Sequence, residues 1–171
     1  MTTVLNVPYV QAHYQGDYQR PTSIILTPSF TTSDKGAALA VALRWHSKTS
    51  PHDSGHYTVD EEDSFSCTPD DSIAGYGASV QKNAIRITMC AEPVSCEDFW
   101  DLSMHHKVLD QTALLVAMLC AEHKIRPVWL DENDQMRWQK HRWRRRGGIF
   151  VDVSYNFPQD WFMTQVENQL R

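Results

Sequence analysis

The stretch from Met104 to His123 constrains the fold more than any other part of the chain. Val108, Leu115, Met118 and Leu119 recur along it at three- and four-residue spacing, which predicts a long helix with one apolar stripe and a principal place in the core. Its longest apolar run, Ala113 to Ala121, is far short of the ~20 residues that a bilayer requires. Such a helix must bury its stripe against other elements of the same domain. A length of 171 residues predicts one domain, large enough to fold without a metal or disulfide staple.

The elements that would cover the helix are legible on either side of it. Residues 1–21 carry Pro8, Gly16 and Pro21 without a sustained period and read as an extended arm, leaving 22–171 as the domain proper. TSIIL (22–26) is a short buried strand with a stop at Pro28. Ser33 is a plausible N-cap for a helix from about Asp34 to Ser47, with Ala37, Ala40, Val41 and Leu43 at helical spacing. HYTVD and SFSCT, separated by an acidic turn, predict a hairpin, and AIRITMC alternates as a half-buried strand. PVWL reads as a short strand, DENDQMRWQ as a capped short helix, GGIFVDV as a strand, and the tail as an amphipathic helix with Trp161, Phe162 and Val166 on one side. Strands alternating with helices predict an α/β domain, a single mixed β-sheet flanked by α-helices.

Hydrophobic residues make up 42% and Gly plus Pro 15 of 171, which excludes collagen-like and disordered classes. MTTVLNVPYVQ lacks the basic and apolar regions of a signal peptide, so the expectation is a soluble chain with no membrane insertion. Cys67, Cys90, Cys96 and Cys120 show no CxxC or zinc-ligand spacing and read as buried free thiols in a reduced compartment. The net charge of −5 argues against a dedicated nucleic-acid binder. Even so, residues 137–146 (RWQKHRWRRR) hold six Lys/Arg around Trp138 and Trp143. The segment is either a solvated face with Arg stacked on Trp or a contact surface for an anionic partner, with Arg142, Arg144 and Arg145 as interface candidates.

Elementary motif chemistry gives little more. GxSxG, P-loop and GxGxxG strings are missing, and none of the eight histidines falls at HxH or HExxH spacing. His105 and His106 are helix neighbours whose side chains diverge by about 100° and do not easily share an ion.

Several short strings taken together do point somewhere. SGHYTVD resembles the SAHYVVD string of the type-2 N-acetylmuramoyl-L-alanine amidases. These are the zinc amidases of bacteriophage lysins and tail proteins, which share a fold with peptidoglycan recognition proteins. VPYVQA resembles that family's arm, TPDDSIAGYGAS the stretch usually ending in AWHAG, and KNAIRITMCA the NSIGIELAG strand. RRRGGIFVDVSYNFPQDWFM resembles the closing GITGHVDVS and DPGPNFPWD segments. The likeness covers nearly the whole chain and is nearest to versions from phages of actinobacteria.

The resemblance implies a zinc held by a His ending the first strand, a His of GHVDVS, and an Asp or Cys of the DPG-like turn, with an open fourth position. On this alignment Leu26 stands at the first ligand position and Phe150 at the second. The third is deleted, or survives as Asp152 in an alternative alignment in which His141 supplies the second ligand. Ser29 replaces the acidic residue after the first His, and Tyr76 replaces the His of AWHAG. The expectation is therefore a degenerate site with no catalytic residue, no cofactor and no stoichiometric zinc. The protein would be a pseudoenzyme of a bacteriophage, made in the host cytoplasm and assembled into the virion, for example as a minor tail protein. Its partners would be other virion proteins or bacterial peptidoglycan, with His56, Tyr76, Asn83 and Arg86 as cleft candidates. The alternative is an active zinc-dependent amidase of endolysin type, using His141, Asp152 and one further ligand.

Overall fold

A computed structural model describes residues 7–13, 15–29, 34–47, 54–75, 82–91, 100, 102–131, 134, 147–152 and 156–171. The element order is β1 (Gln15–Tyr18), β2 (Ser23–Pro28), α1 (Ala37–His46), β3 (Tyr57–Val59), β4 (Ser64–Ser66), β5 (Ser72–Ala74), β6 (Ala84–Met89), α2 (Leu102–His123), β7 (Ile149–Val151) and α3 (Gln159–Gln169). Five strands form a mixed sheet in the order β4-β3-β6-β2-β7, and β1 pairs with β5 in a separate two-stranded ribbon. Within the large sheet β3, β6, β2 and β7 are parallel and only β4 runs antiparallel.

Strict alternation divides the sheet into two faces. Ile24, Leu26, Tyr57, Val59, Ile85, Ile87, Met89, Ile149 and Val151 pack against Val108, Leu109, Leu119, Phe162 and Val166 of α2 and α3 to make the main core. The other face is shared by two smaller clusters. Ala38, Val41, Ala42 and Trp45 of α1 cover Cys67 and Cys90 at the β3–β4 side, and Ile25, Ala84, Leu130 and Phe150 pack together at the β2–β7 side.

Glycines permit two close approaches. A Cβ on Gly55 would lie 2.7 Å from the Trp45 ring, and one on Gly147 would collide with Thr22 O and Ser23 Oγ where β7 enters the sheet. Helix α1 begins at Gly36, with φ 88°, and takes no cap from its own first turn. Its cap comes from Asp60, buried just past β3: the amides of Gly36 and Ala38 donate to Oδ2 at 2.9 and 3.0 Å, and those of Glu62 and Asp63 to Oδ1 at 3.0 and 2.8 Å. Ser33, the cap expected from sequence, lies outside the described residues.

Some boundaries differ from those expected. β2 continues through Thr27 to Pro28, because proline at the last strand position forfeits no ladder bond that the next turn needs. PVWL contributes only a bridge from Trp129 to Ile149, with Leu130 N donating to Ile149 O at 2.8 Å. DENDQMRWQ lies outside the described residues except at 131 and 134. The arm is tied by backbone hydrogen bonds: Val10 N donates to Ser66 O and Ala12 N to Cys67 O, both at 2.8 Å, so it lines the β4 edge before forming β1. An edge covered this way is closed to pairing with another chain.

Cys67, Cys90 and Cys120 are buried, and burial pushes the Cys67 and Cys120 thiols up to about 12. Cys96 lies outside the described residues. Among the described residues no helix is long and apolar enough to cross a membrane.

Candidate functional site

In a parallel sheet the carboxyl ends of the strands form the natural place for a ligand. Here the register sets three threonines side by side across that end. Thr58 of β3 pairs with Thr88 of β6, which pairs with Thr27 of β2. Next along is β7, where Leu26 pairs with Val151 and the Asp152 amide donates to Leu26 O at 2.9 Å, setting Asp152 beside Thr27.

The threonines lie on the face of α1, Ile25 and Phe150, away from the main core. Thr58 Oγ1 donates to Ala38 O at 2.9 Å, and Thr88 Oγ1 lies against Gly55 below Trp45. Thr27 differs from its neighbours. Its hydroxyl is sealed from solvent and meets no hydrogen-bond partner among the described residues, although the residue as a whole is only half-buried. A buried hydroxyl without a partner costs about 1–3 kcal/mol, which a ligand group or water at this end of the strand would offset. Arg86, half-buried, belongs to the same face, paired with Ile25. Asp152 is exposed.

The two positions that the resemblance equates with zinc ligands do not come together. Leu26 is 0% exposed in the main core beneath the sheet, whereas Phe150 packs with Ile25, Ala84 and Leu130 on the opposite face. One ion could not be served from both. The β2 residues on the same face as Phe150 are Ile25 and Thr27, not Leu26. Among the described residues this end offers threonine hydroxyls and the Asp152 carboxylate, a set that does not fit a three-ligand zinc site. His141 lies outside the described residues, as do Tyr76, Trp138, Arg142, Trp143, Arg144 and Arg145.

The remaining cleft candidates sit elsewhere. His56 is 1% exposed, and its ring is fully engaged: Nδ1 accepts from the Arg86 amide at 2.9 Å, which fixes the proton on Nε2, 2.9 Å from Ser72 O. Burial holds this imidazole down to about 4. Gln19 completes the arrangement, its Nε2 sharing two hydrogens among Ser72 O at 2.9 Å, Ala84 O at 3.1 Å and Asp70 O at 3.2 Å. Together His56 and Gln19 join the β1–β5 ribbon to the main sheet. Asn83 occupies a left-handed turn, φ 61°, before β6, where its amide donates to Gln19 Oε1 at 2.8 Å and its carbonyl accepts from Thr22 N. Both lie toward the amino ends of the strands, His56 one residue after the Gly55 that touches Thr88. Of the cleft candidates with a described position, only Arg86 projects from the face bearing the threonines.

Comparison with known proteins gives the same architecture. No protein-family model matches the sequence, and no curated protein matches it. Among solved structures, a mutant endolysin from Bacillus subtilis superposes with a TM-score of 0.63 at 18% identity, over 95% of this chain and 99% of that one. The Staphylococcus aureus hydrolase AmiA, solved with its ligand, gives a TM-score of 0.63 at 12% identity over 97% of this chain and 83% of that one. The N-acetylmuramoyl-L-alanine amidase LysC from Clostridium intestinale gives 0.55 at 11% identity over 95% and 98%. At these identities the likeness speaks to architecture, and in architecture this chain has the fold of the N-acetylmuramoyl-L-alanine amidases.

Proposed function

We propose that the chain keeps the amidase fold for binding or architecture rather than for cleavage. It would act as a component of a phage particle, such as the tail tip, with peptidoglycan or neighbouring virion proteins as partner. The observation that carries this reading is the donor set at the strand ends. Leu26 and Phe150 fill opposite faces with apolar packing, and among the described residues the next positions toward the strand ends on the Phe150 face are Thr27, Thr88 and Asp152. The half-buried Arg86 and the exposed Asp152 carboxylate suit polar contacts to a glycopeptide, whereas polarising an amide carbonyl requires a Lewis acid, for which hydroxyls and a single carboxylate are a poor ligand set. The phage setting rests on the sequence resemblance.

A second reading has its own support, since the structural neighbours include a named amidase and an endolysin. In it the chain is an active zinc-dependent amidase, with His141, Asp152 and one further ligand outside the described residues. One experiment separates the two. Purified full-length protein supplied with Zn²⁺ is incubated with purified peptidoglycan, and released L-alanine peptides and co-sedimentation with sacculi are both measured. The expected result is no release, with retention on sacculi or on tail proteins. Sustained release that is abolished by His141→Ala would overturn the binding role and establish the amidase.

A further inference from the structure

The amino end of the sheet carries a cluster that plays no part in the strand-end face. We propose that Asp70, Glu122 and His123 form a binding site for a single divalent transition-metal ion. One ligand atom from each lies within 4.8 Å of the others. His123 Nε2 is 2.7 Å from Asp70 Oδ2 and 4.0 Å from Glu122 Oε2. An ion bound at about 2.0–2.2 Å by imidazole and carboxylate needs ligand atoms a little over 3 Å apart, so shifts of about 1 Å would complete the shell.

Three further observations favour a cation here. Asp70 Oδ1 is sealed from solvent and has no hydrogen-bond partner among the described residues, although the Tyr57 hydroxyl faces the same carboxylate. Two carboxyl groups, Asp70 and Glu122, flank the one imidazole, a grouping of oxygen and nitrogen donors suited to a divalent ion. The cluster also lies at the carboxyl end of α2, where the helix dipole attracts positive charge. The position is well fixed. Lys124 ends α2 in the left-handed conformation, φ 56°, with Ile125 N donating to Cys120 O, and the Asp70 turn is held by Gln19 and by Ser72 N donating to Pro69 O. Side-chain exposures of 16–23% leave an approach for the ion.

The location sets this apart from any strand-end chemistry. Gln19 Nε2 contacts both Asp70 O and Ala84 O, so Asp70 sits at the start of β6, about 13 Å of strand from Thr88. One imidazole with two carboxylates suits a borderline ion such as Zn²⁺ or Mn²⁺ rather than an all-oxygen Mg²⁺ or Ca²⁺ site. Binding displaces the proton on His123 Nε2 that now bridges to Asp70, and the ion then joins the end of α2 to the turn before β5.

The test uses the full chain and Zn²⁺ alone, after stripping with chelator, and reads stoichiometry by calorimetry and the rise in melting temperature with added Zn²⁺. The expected result is one equivalent bound, with affinity lowered at least tenfold in Glu122→Gln and in Asp70→Asn and unchanged in a His141→Ala/Asp152→Asn double variant. Glu122→Gln changes a half-buried helix-end side chain and preserves its shape, so it remains informative if Asp70→Asn folds poorly. Failure to bind Zn²⁺, or binding indifferent to Glu122→Gln, would overturn the proposal. So would binding lost only in the His141/Asp152 variant, and that result would also count for the amidase reading.

Discussion

Acidification should unfasten the ribbon from the sheet, and His56 sets the pH at which this happens. The folded-state imidazole titrates near 4 against an ordinary value of 6.5, chiefly because burial disfavours its charged form; the hydrogen bond to Ser72 O and then Asp70 pull the value upward, while Arg86 and His123 add to the depression. Above pH 6.5 the ring is neutral in both folded and unfolded chains and contributes no pH dependence. Between 6.5 and 4 the unfolded chain takes up a proton that the folded one refuses, so stability falls as the pH falls, and below 4 the effect levels off. A difference of about 2.5 units at 1.36 kcal/mol each amounts to roughly 3 kcal/mol, a large part of the stability of a domain this size. Urea unfolding of the wild type and of His56→Asn at half-unit steps from pH 7.5 to 4 measures it. Asparagine keeps an acceptor for the Arg86 amide, and Gln19 still serves Ser72 O, so the variant should fold at neutral pH. The wild-type curve should lose about 3 kcal/mol more than that of the variant across the window. Parallel curves would refute the argument that the buried neutral ring carries the effect.

Asp60→Asn replaces a carboxylate that accepts four amide hydrogens with a group having one acceptor atom, and should cost about 3 kcal/mol in chemical denaturation, with loss of α1 helicity in circular dichroism. Phe162→Ala opens the main core between α3 and α2 and should destabilise by about 3–5 kcal/mol in the same assay; the smaller cost of a collapsible site would show that α3 repacks. Arg142, Arg144 and Arg145 replaced together by Ala should leave the melting temperature nearly unchanged, since exposed charges contribute about 0–1 kcal/mol per pair. Retention on sacculi or tail proteins should fall and lose its salt dependence, and undiminished retention would mark the segment as a solvated face.

The elements that a periodic pattern dictates could be read from the sequence, and those held by a distant partner could not. AIRITMC, TSIIL and GGIFVDV announce β6, β2 and β7, and the stripe through Val108, Leu115 and Leu119 announces α2. QGDY and SIA carry no comparable pattern: β1 and β5 are short, and they owe their place to Gln19 and His56, which act across 53 and 16 residues. The threonine row was visible strand by strand as a polar position in each of HYTVD, IRITMC and IILTPS. Its alignment into one row depends on register between strands far apart in the chain, which no local signal specifies. For the same reason the alignment of Leu26 and Phe150 to one ion was open to a one-residue offset, and in a strand one residue is the difference between the two faces. Asp70 and His123, 53 residues apart, carry no spacing signature at all.

The order β4-β3-β6-β2-β7 has a consequence for the way the polypeptide reaches its native state. β2 is an early strand whose neighbours are β6 at mid-chain and β7 near the end, and Gly148 N reaches Ser23 Oγ across 125 residues of intervening chain. While a ribosome is still making the second half, Ile24, Ile25 and Leu26 have β6 at most on one side and lack both β7 and the cover of α2 and α3, and they form a short β-prone segment of low charge. Closing so long a loop before its contacts can form raises the entropic barrier, so folding should be slow for a domain of this length. A nascent chain halted before Ile149 would present an open β2 edge, a natural target for chaperone capture and the point from which aggregation would start.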